Sequence, residues 1–282
     1  MSARRASAPV RLALALLTAA ALLLPAVPVH AATFTFSKPD ASSKFNTGID
    51  FTIDFEGLDA PSRVETQVLF PGATGPFIET LKRTPTAGHQ TLTYTLKTSG
   101  SGHLMPNTPI TVTWVAYPAG GGDPVTSEPF TYRYLDETQD WKTLKDDLVT
   151  VHWTTGPQSF AQNAAKIALD AIKNGAKALG QSETKAVDFF IYADDASFRA
   201  ALGPGARENV GGEAITETRT LFAEFTPDML SDPWVGITIT HELTHQIIDD
   251  ATSNPYRSLP RWLNEGFAVY MSEGTPPSTA RW

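Results

Sequence analysis

The sequence contains no cysteine, and this absence excludes several kinds of site at once. A chain without cysteine has no disulfide, no thiolate zinc site, no cysteine nucleophile and no lipid-modified cysteine. The sequence also lacks an internal repeat, a low-complexity tract, a nucleophile elbow, a phosphate-binding loop and a basic stripe interleaved with aromatic residues. Sites that use histidine and carboxylate side chains, either as metal ligands or as acids and bases, are not excluded.

Positive charge is scarce as well. The 22 Lys and Arg residues face 30 Asp and Glu residues, so the net charge at pH 7 is -8. The overall field of such a protein does not attract nucleic acid or anionic lipid, and we expect no nucleic-acid partner. With 41% hydrophobic and 18% charged residues in 282, the composition is that of a globular protein with one large domain or two ordinary ones.

Long apolar runs are missing except near the N-terminus. There Arg4, Arg5 and Arg11 form a basic start, residues 12–24 carry no charge, and Ala31 is the small residue that signal peptidase requires. We predict a signal peptide over residues 1–31 and therefore a secreted, extracellular protein with no integral membrane span after its removal. The alternative is a retained anchor, but the apolar run is shorter than the roughly 20 residues that span a bilayer. Loss of the three arginines makes the net charge -11.

Residues 32–135 have the alternation of β-strands. Apolar and polar side chains alternate over residues 49–55, 91–96 and 110–115, and turn-forming glycine and proline residues lie between such segments. Six or seven short strands in this length predict a β-sandwich domain of immunoglobulin-like or fibronectin-like kind. A cell-wall or matrix ligand is a candidate partner for an extracellular domain of this type.

Residues 136–282 mix strands with helices, so the predicted fold class of the whole chain is α+β. We predict strands at 148–153 and 186–192, a helix from about residue 160, a short helix at 195–202, and an edge strand at 218–225. Ser231-Asp232-Pro233 is typical of a helix start and predicts a helix to about Asp250. Pro260 predicts a second helix through about Met271.

The first of these two helices contains the sequence His241-Glu242-Leu243-Thr244-His245, an HExxH motif. Residues four positions apart lie on one helical face, so both imidazoles can bind one zinc ion. Glu242 is adjacent to the metal but off the line of the ligands, where it can take a proton from metal-activated water. The alternatives are a chance match or a structural, metal-free histidine pair.

A hydrolytic zinc site needs a third protein ligand and an open position. No histidine follows His245, which excludes the arrangement of the metzincins. Glu265, on the next predicted helix, is the best remaining candidate. Read alone it could be a solvated carboxylate, but its neighbours Trp262, Leu263 and Phe267 are apolar, and an unpaired charge among them is costly.

The motif HELTH together with WLNEGFAVY resembles the gluzincins, specifically the peptidase MA-like zinc metallopeptidases that include thermolysin-like and aminopeptidase-like enzymes. The resemblance covers roughly residues 141–273. It implies a zincin-like α+β metallopeptidase domain over residues 136–282, with one zinc ion held by His241, His245 and Glu265 and with Glu242 as the general base. It says nothing reliable about the N-terminal strands.

The chain departs from the gluzincin pattern in two respects. Gluzincins supply a tyrosine or histidine beyond the third ligand to stabilise the oxyanion; here Tyr270 is the candidate donor, with Arg261 as the other nearby group. Either the chain is a C-terminally truncated form or another segment provides this donor. The GxMEN-type motif of gluzincin aminopeptidases is also absent, since residues 211–214 do not match it. This favours an endopeptidase over an aminopeptidase.

Two residues are candidates for a supporting role around the ligands. Asp249 lies one turn after His245 and could orient its imidazole, and Asn264 could form a hydrogen bond at the site. The leading hypothesis is a secreted zinc peptidase that hydrolyses a peptide or protein substrate with metal-activated water. The alternative is an extracellular binding protein with an inactive or weakly active peptidase-like domain and an adhesive β-sandwich.

Overall fold

The computed structural model describes residues 33–182, 185–206, 211–252 and 259–273. Its first part consists of two antiparallel sheets. The first sheet has the order β1-β2-β5, and the second has the order β4-β3-β6-β7 with β8 also paired to β6. These strands are β1 (Phe34–Lys44), β2 (Gly48–Gly57), β3 (Pro61–Leu69), β4 (Phe77–Thr80), β5 (Gly88–Lys97), β6 (Thr108–Pro118), β7 (Val125–Thr126) and β8 (Phe130–Tyr134).

The two sheets share one hydrophobic core. Alternate residues of β2, among them Phe51 and Ile53, are buried, as are Val64 of β3 and Trp114 of β6. Period-two alternation directs these side chains to one face of each sheet, and burial of that face holds the sheets together. The predicted strand segments at 49–55, 91–96 and 110–115 are confirmed. The immunoglobulin-like or fibronectin-like topology stays a prediction.

In the described residues from 142 onwards, the chain forms a mixed sheet and four α-helices. The sheet has the order β12-β13-β11-β10-β9, in which β10, β11 and β13 are parallel and the two edge strands are antiparallel to their neighbours. Its elements are β9 (Lys142–Asp146), β10 (Val149–Trp153), α1 (Gln158–Ala178), β11 (Val187–Tyr192), α2 (Asp195–Leu202), β12 (Gly212–Ile215), β13 (Thr220–Glu224), α3 (Pro233–Thr252) and α4 (Arg261–Glu273). The four predicted helices are confirmed, and the architecture is α+β.

The edge placement that we predicted for residues 218–225 is wrong. β13 lies between β11 and β12, and its side chains Leu221, Phe222 and Ala223 are buried. The prediction missed β12, which covers this edge, because four residues that begin with glycine show no recognisable alternation. The antiparallel edge strand next to α3 is therefore β12, and it becomes part of the site described below.

The two faces of the mixed sheet have different neighbours. One face packs against α1 and α3, with Phe160, Ile172, Ile239 and Leu243 in a common core. The other face presents Phe190, Tyr192 and Phe222, which cluster with Phe198 and Leu202 of α2 and with Phe45 and Met105 from the N-terminal part. The N-terminal sheets and the mixed sheet are therefore in direct contact through the face that does not carry the long helices.

No helix among the described residues is both long and apolar enough to cross a lipid bilayer. The predicted signal peptide, residues 1–31, lies outside the described ranges.

Candidate metal centre

Helix α3 presents both histidines of the HExxH motif from one face. Its other face carries Val235, Ile239, Leu243 and Ile247, at spacings of four residues, and these side chains are buried in the core. The amphipathic pattern fixes the rotation of the helix about its axis. The His241 and His245 rings consequently stand together on the opposite side, with ring centroids 4.9 Å apart.

Helix α4 brings Glu265 to the same place. The helix begins after Pro260, whose carbonyl oxygen accepts the hydrogen bonds of its first turn from Leu263 and Asn264. Glu265 Oε2 lies 3.5 Å from His241 Nε2 and 3.8 Å from His245 Nε2. The ligand atoms of these three residues all lie within 4.8 Å of one another. Arg261 is 3.6 Å from the second Glu265 oxygen, so the carboxylate is oriented from its own helix as well.

Two of the three distances between the candidate ligand atoms are close to those of a tetrahedral metal site. Donor atoms that lie about 2.1 Å from one zinc ion at tetrahedral angles are roughly 3.4 Å apart. The two histidine–glutamate distances of 3.5 and 3.8 Å are close to this value. Burial lowers the pKa of His241, the neighbouring His245 lowers it further, and the Glu265 carboxylate opposes both. A neutral imidazole is the form that binds metal, so the site could hold a divalent ion.

Asn264 controls the orientation of the second histidine. Its Oδ1 atom lies 2.9 Å from His245 Nδ1 and accepts the hydrogen bond of that ring nitrogen. In a neutral ring the proton therefore resides on Nδ1, which leaves Nε2, 3.8 Å from Glu265 Oε2, as the nitrogen that can bind a metal. Asp249 is the other supporting residue that we considered. Burial raises its pKa, the charges of Asp250 and Glu217 raise it further, and those of Lys185 and Arg219 oppose the rise.

Glu242 lies beneath strand β12. The Ala214 N–H donates a hydrogen bond of 3.0 Å to Glu242 Oε2. Burial raises the pKa of Glu242 to about 7, the charge of Glu213 adds to the rise, and the Ala214 hydrogen bond opposes it. Gly212 allows the close approach, because a Cβ there would lie 2.8 Å from Thr238 Cγ2 and 3.3 Å from Glu242 Cγ.

The histidines, Glu242, Glu265 and Asn264 line one open cleft of about 600 Å³. Tyr270, the candidate oxyanion donor, is not part of its lining: the residue is 54% exposed, and its ring lies beside Phe267. An oxyanion role for Tyr270 thus has no support in the position of the side chain.

The cleft also contains residues that the sequence did not point to. Gly212, Glu213, Ala214 and Thr216 line it from β12 and the turn that follows, and Met105 lines it from the N-terminal part. The paired glycines at 211–212 were a usable signal, because glycine often marks a close approach of the backbone. Nothing local in the sequence around Met105 indicates its place, since only the folded arrangement brings it to the cleft.

Two solved structures that match parts of this chain show only slight likeness to it. OgpA from Akkermansia muciniphila is 10% identical over 36% of this chain and 27% of its own, with a TM-score of 0.29. The β-glucuronidase from Parabacteroides merdae is 11% identical over 57% of this chain and 24% of its own, with a TM-score of 0.27. In these two comparisons the chain spans only 27% and 24% of the matched proteins, and such scores support no argument on fold or function.

The family comparison concerns the part of the chain that contains the cleft. No curated protein matches the chain in sequence. Residues 167–280 match the family model of the peptidase MA superfamily. That stretch contains the HExxH helix and the helix of Glu265. The C-terminal part of this chain is therefore similar to the peptidases of the MA superfamily, a group whose members typically depend on zinc.

Proposed function

We propose that this protein is a secreted zinc-dependent endopeptidase, with His241, His245 and Glu265 as the ligands of one zinc ion and Glu242 as the general base. The observation that carries the proposal is the placement of three ligand atoms within 4.8 Å of one another in the cleft that also contains Glu242. The peptidase class is supported by the match over residues 167–280. Secretion rests on the signal peptide predicted at residues 1–31.

The roles of the side chains follow from their positions. When bound, zinc polarises the scissile carbonyl and lowers the pKa of a water molecule. Glu242 accepts a proton from the water that attacks the carbonyl carbon and delivers it to the amine as the C–N bond breaks. The hydrogen bond from the Ala214 N–H to Oε2 orients the Glu242 carboxylate for this role. Asn264 keeps His245 in the tautomer that binds metal through Nε2.

The substitution Glu242→Gln tests this assignment. It removes the base but keeps the shape of the side chain and leaves the three ligands in place. We expect hydrolysis of a denatured protein to fall by roughly 10²–10⁴-fold, with zinc content unchanged at one ion per chain. The products, identified by mass spectrometry, should result from cleavage at internal bonds.

Glu56→Gln, at an exposed position of β2, is the matched control and should retain full activity. A Glu242→Gln protein that cleaves as fast as the parent would exclude Glu242 as the base. A parent protein that binds zinc but cleaves nothing, with or without chelator, would instead favour the extracellular binding protein with an inactive peptidase-like domain.

A further inference from the structure

One residue of the cleft lining, Met105, comes from the N-terminal part of the chain. Met105 lies in the segment before β6 and lines the cleft together with Leu202 and Ala206, which lie at the end of α2 and just after it. Met105 and Ala206 are partly buried against the aromatic cluster of the mixed sheet, and Leu202 is a buried member of that cluster. These three side chains are apolar, whereas the ligands and Glu242 form the polar part of the lining.

The segment that carries Met105, residues 103–108, is fixed to helix α2 on its N-terminal side. His103 Nε2 is 3.0 Å from the carbonyl oxygen of Ala201, and it donates this hydrogen bond because a carbonyl oxygen can only accept. The His103 ring packs against Gly203 so closely that a Cβ at position 203 would lie 2.2 Å from His103 Cδ2. Only glycine therefore fits at this position. Gly203 also has a φ of 83°, a conformation that favours glycine. The end of α2 is thus shaped to receive His103.

The same segment is fixed on its C-terminal side by Asn107. This residue is only 2% exposed and adopts a φ of 67°, in the left-handed region that asparagine tolerates. Its Nδ2 donates to Asp188 Oδ2 at 3.1 Å and to Thr220 Oγ1 at 2.8 Å. The Thr108 hydroxyl donates to the Met105 carbonyl oxygen at 2.7 Å.

Hydrogen bonds to the mixed-sheet part thus lie on both sides of Met105. A backbone held at two points presents its side chain in a fixed place, which is how a subsite becomes preorganised. Methionine suits an apolar wall that must adapt to different side chains, because its thioether chain is unbranched and polarisable. A cleft of about 600 Å³ has room for several residues of an extended peptide.

We infer that Met105, together with Leu202 and Ala206, forms a subsite that selects an apolar substrate side chain close to the scissile bond. The N-terminal part would then contribute to substrate specificity in the catalytic cleft. This role would be separate from the binding of any cell-wall or matrix ligand. This inference rests on the proposed peptidase function, and its test separates the two.

The test measures selection of peptides without requiring cleavage. The full zinc-loaded chain with Glu242→Gln is mixed with a pool of random ten-residue peptides, and the bound peptides are sequenced by mass spectrometry. We expect enrichment of Leu, Ile, Met and Phe over Ser, Thr, Asn and Gln at one peptide position. Adding Met105→Ala should reduce this enrichment by about 10-fold, the usual effect of lost apolar contact in a specificity pocket.

Three further variants, each in the Glu242→Gln chain, complete the experiment. Met229→Ala, at an exposed methionine outside the cleft lining, should leave the enrichment unchanged. Met105→Leu, which conserves volume, should keep it. Met105→Lys should replace the apolar preference with enrichment of Asp and Glu, a gain that loss of folding cannot imitate.

The outcomes distinguish the inference from the proposed function. An enrichment that Met105→Ala and Met105→Lys leave unaltered, or a pool without apolar enrichment, overturns the inference. If the parent cleaves a denatured protein but the enrichment is the same with and without the Met105 substitutions, the peptidase function is supported and the subsite is not. If the parent cleaves nothing while the enrichment follows Met105, the subsite stands and the peptidase function fails.

Discussion

At the scale of single residues, the hydrogen bond between Asn264 and His245 determines which ring nitrogen is available to a metal. Asn264 precedes Glu265 directly, so one turn of α4 supplies both the third candidate ligand and the partner of the second. The backbone of α4 thereby couples the position of Glu265 to the orientation of His245. Asn264 is a positioning residue in this arrangement, because it acts through His245.

We predict that Asn264→Ala weakens zinc binding by roughly 10–100-fold, the usual effect of removing the partner of a ligating histidine. The His245 ring would lose the acceptor that fixes its tautomer. The measurement is competition for zinc against a chromophoric chelator, which needs no catalysis. Asp249→Ala is the comparison, and an effect on zinc affinity larger than that of Asn264→Ala would reverse the assignment of the partner.

The motif residues could be predicted from the sequence because their geometry is local. Four residues on a helix place His241 and His245 on one face whatever the surrounding fold is. The structure brings Glu265 beside them, as its sequence position suggested, and zinc binding by the three stays a prediction. The choice between Asp249 and Asn264 could not be made from spacing, because it depends on how α4 crosses α3.

At the scale of secondary-structure elements, the contact between β12 and α3 determines the position of Glu242. The strand passes so close to the helix that Gly212 has no room for a side chain. Gln246 of α3 donates to the carbonyl oxygens of Ile215 and Thr220, which holds the connection between β12 and β13 against the helix. The base is thus oriented by an edge strand as well as by its own helix.

We predict that Gly212→Ala reduces kcat by about 10-fold or more while zinc content stays the same. The added methyl group would displace β12 and lengthen the hydrogen bond from Ala214 to Glu242, and small misplacements of catalytic groups cost large factors in rate. Parallel measurements of kcat and zinc content test this expectation.

Gly236→Ala is the matched control in α3, because nothing lies within 4 Å of a Cβ at that position. It should keep full activity and stabilise the helix by about 0.5–1 kcal/mol, the difference between glycine and alanine in a helix. Equal activity of the Gly212→Ala protein and the parent would show that β12 does not position the base.

The elements themselves were predictable to different degrees. The helices at 233–252 and 261–273 have strong local start signals in the sequence, and the strands around Phe51 and Trp114 alternate clearly. Strand β12 and the interior position of β13 were missed, because strand order depends on contacts between segments far apart in the chain. The Met105 wall of the cleft was missed for the same reason.

At the scale of the whole molecule, a polar cluster joins the N-terminal sheets to the mixed sheet. Asp188 of β11 accepts hydrogen bonds from Asn107 and His152, and Arg133 of β8 lies 3.8 Å from the same carboxylate. Burial raises the pKa of Asp188, but the hydrogen bonds from His152 and Asn107, together with the charges of His152 and Arg133, outweigh it and hold the pKa below the usual 3.8.

This depressed pKa predicts a pH dependence of stability. A carboxyl group whose pKa is lower in the folded state stabilises the fold above its unfolded pKa, and the contribution is lost as pH falls through the folded value. We therefore expect the Tm of the parent to fall more steeply than that of Asp188→Asn below about pH 3.8. At pH 7 the Asp188→Asn protein should be the less stable one, because it lacks the carboxylate that accepts the hydrogen bonds from Asn107 and His152.

Thermal unfolding followed by circular dichroism at pH 7 and pH 3 gives this comparison. Asp170→Asn is the control, because Asp170 forms an exposed pair with Lys166 on α1. Parallel pH profiles of the parent and Asp188→Asn would show that the cluster does not contribute to stability.

Metal binding also predicts a change in the stability of the whole molecule. An ion that binds only the folded state at 100 times its Kd stabilises that state by about 2.7 kcal/mol, or roughly 5–10 °C in Tm for a chain of this size. Chelation should lower the Tm by this amount, and zinc should restore it. Magnesium should not, because it prefers oxygen ligands in octahedral geometry. A His241→Ala protein whose Tm still responds to zinc would place the ion elsewhere.

The position of Glu265 on α4 has a mechanical consequence. Among the described residues of this helix only Ala268 is fully buried, whereas seven residues of α3 are. Packing therefore ties α4 to the protein far more weakly than α3. An ion shared between the two helices would hold α4 against α3. Its loss would weaken the attachment of α4, which carries both the third candidate ligand and the Asn264 contact with His245.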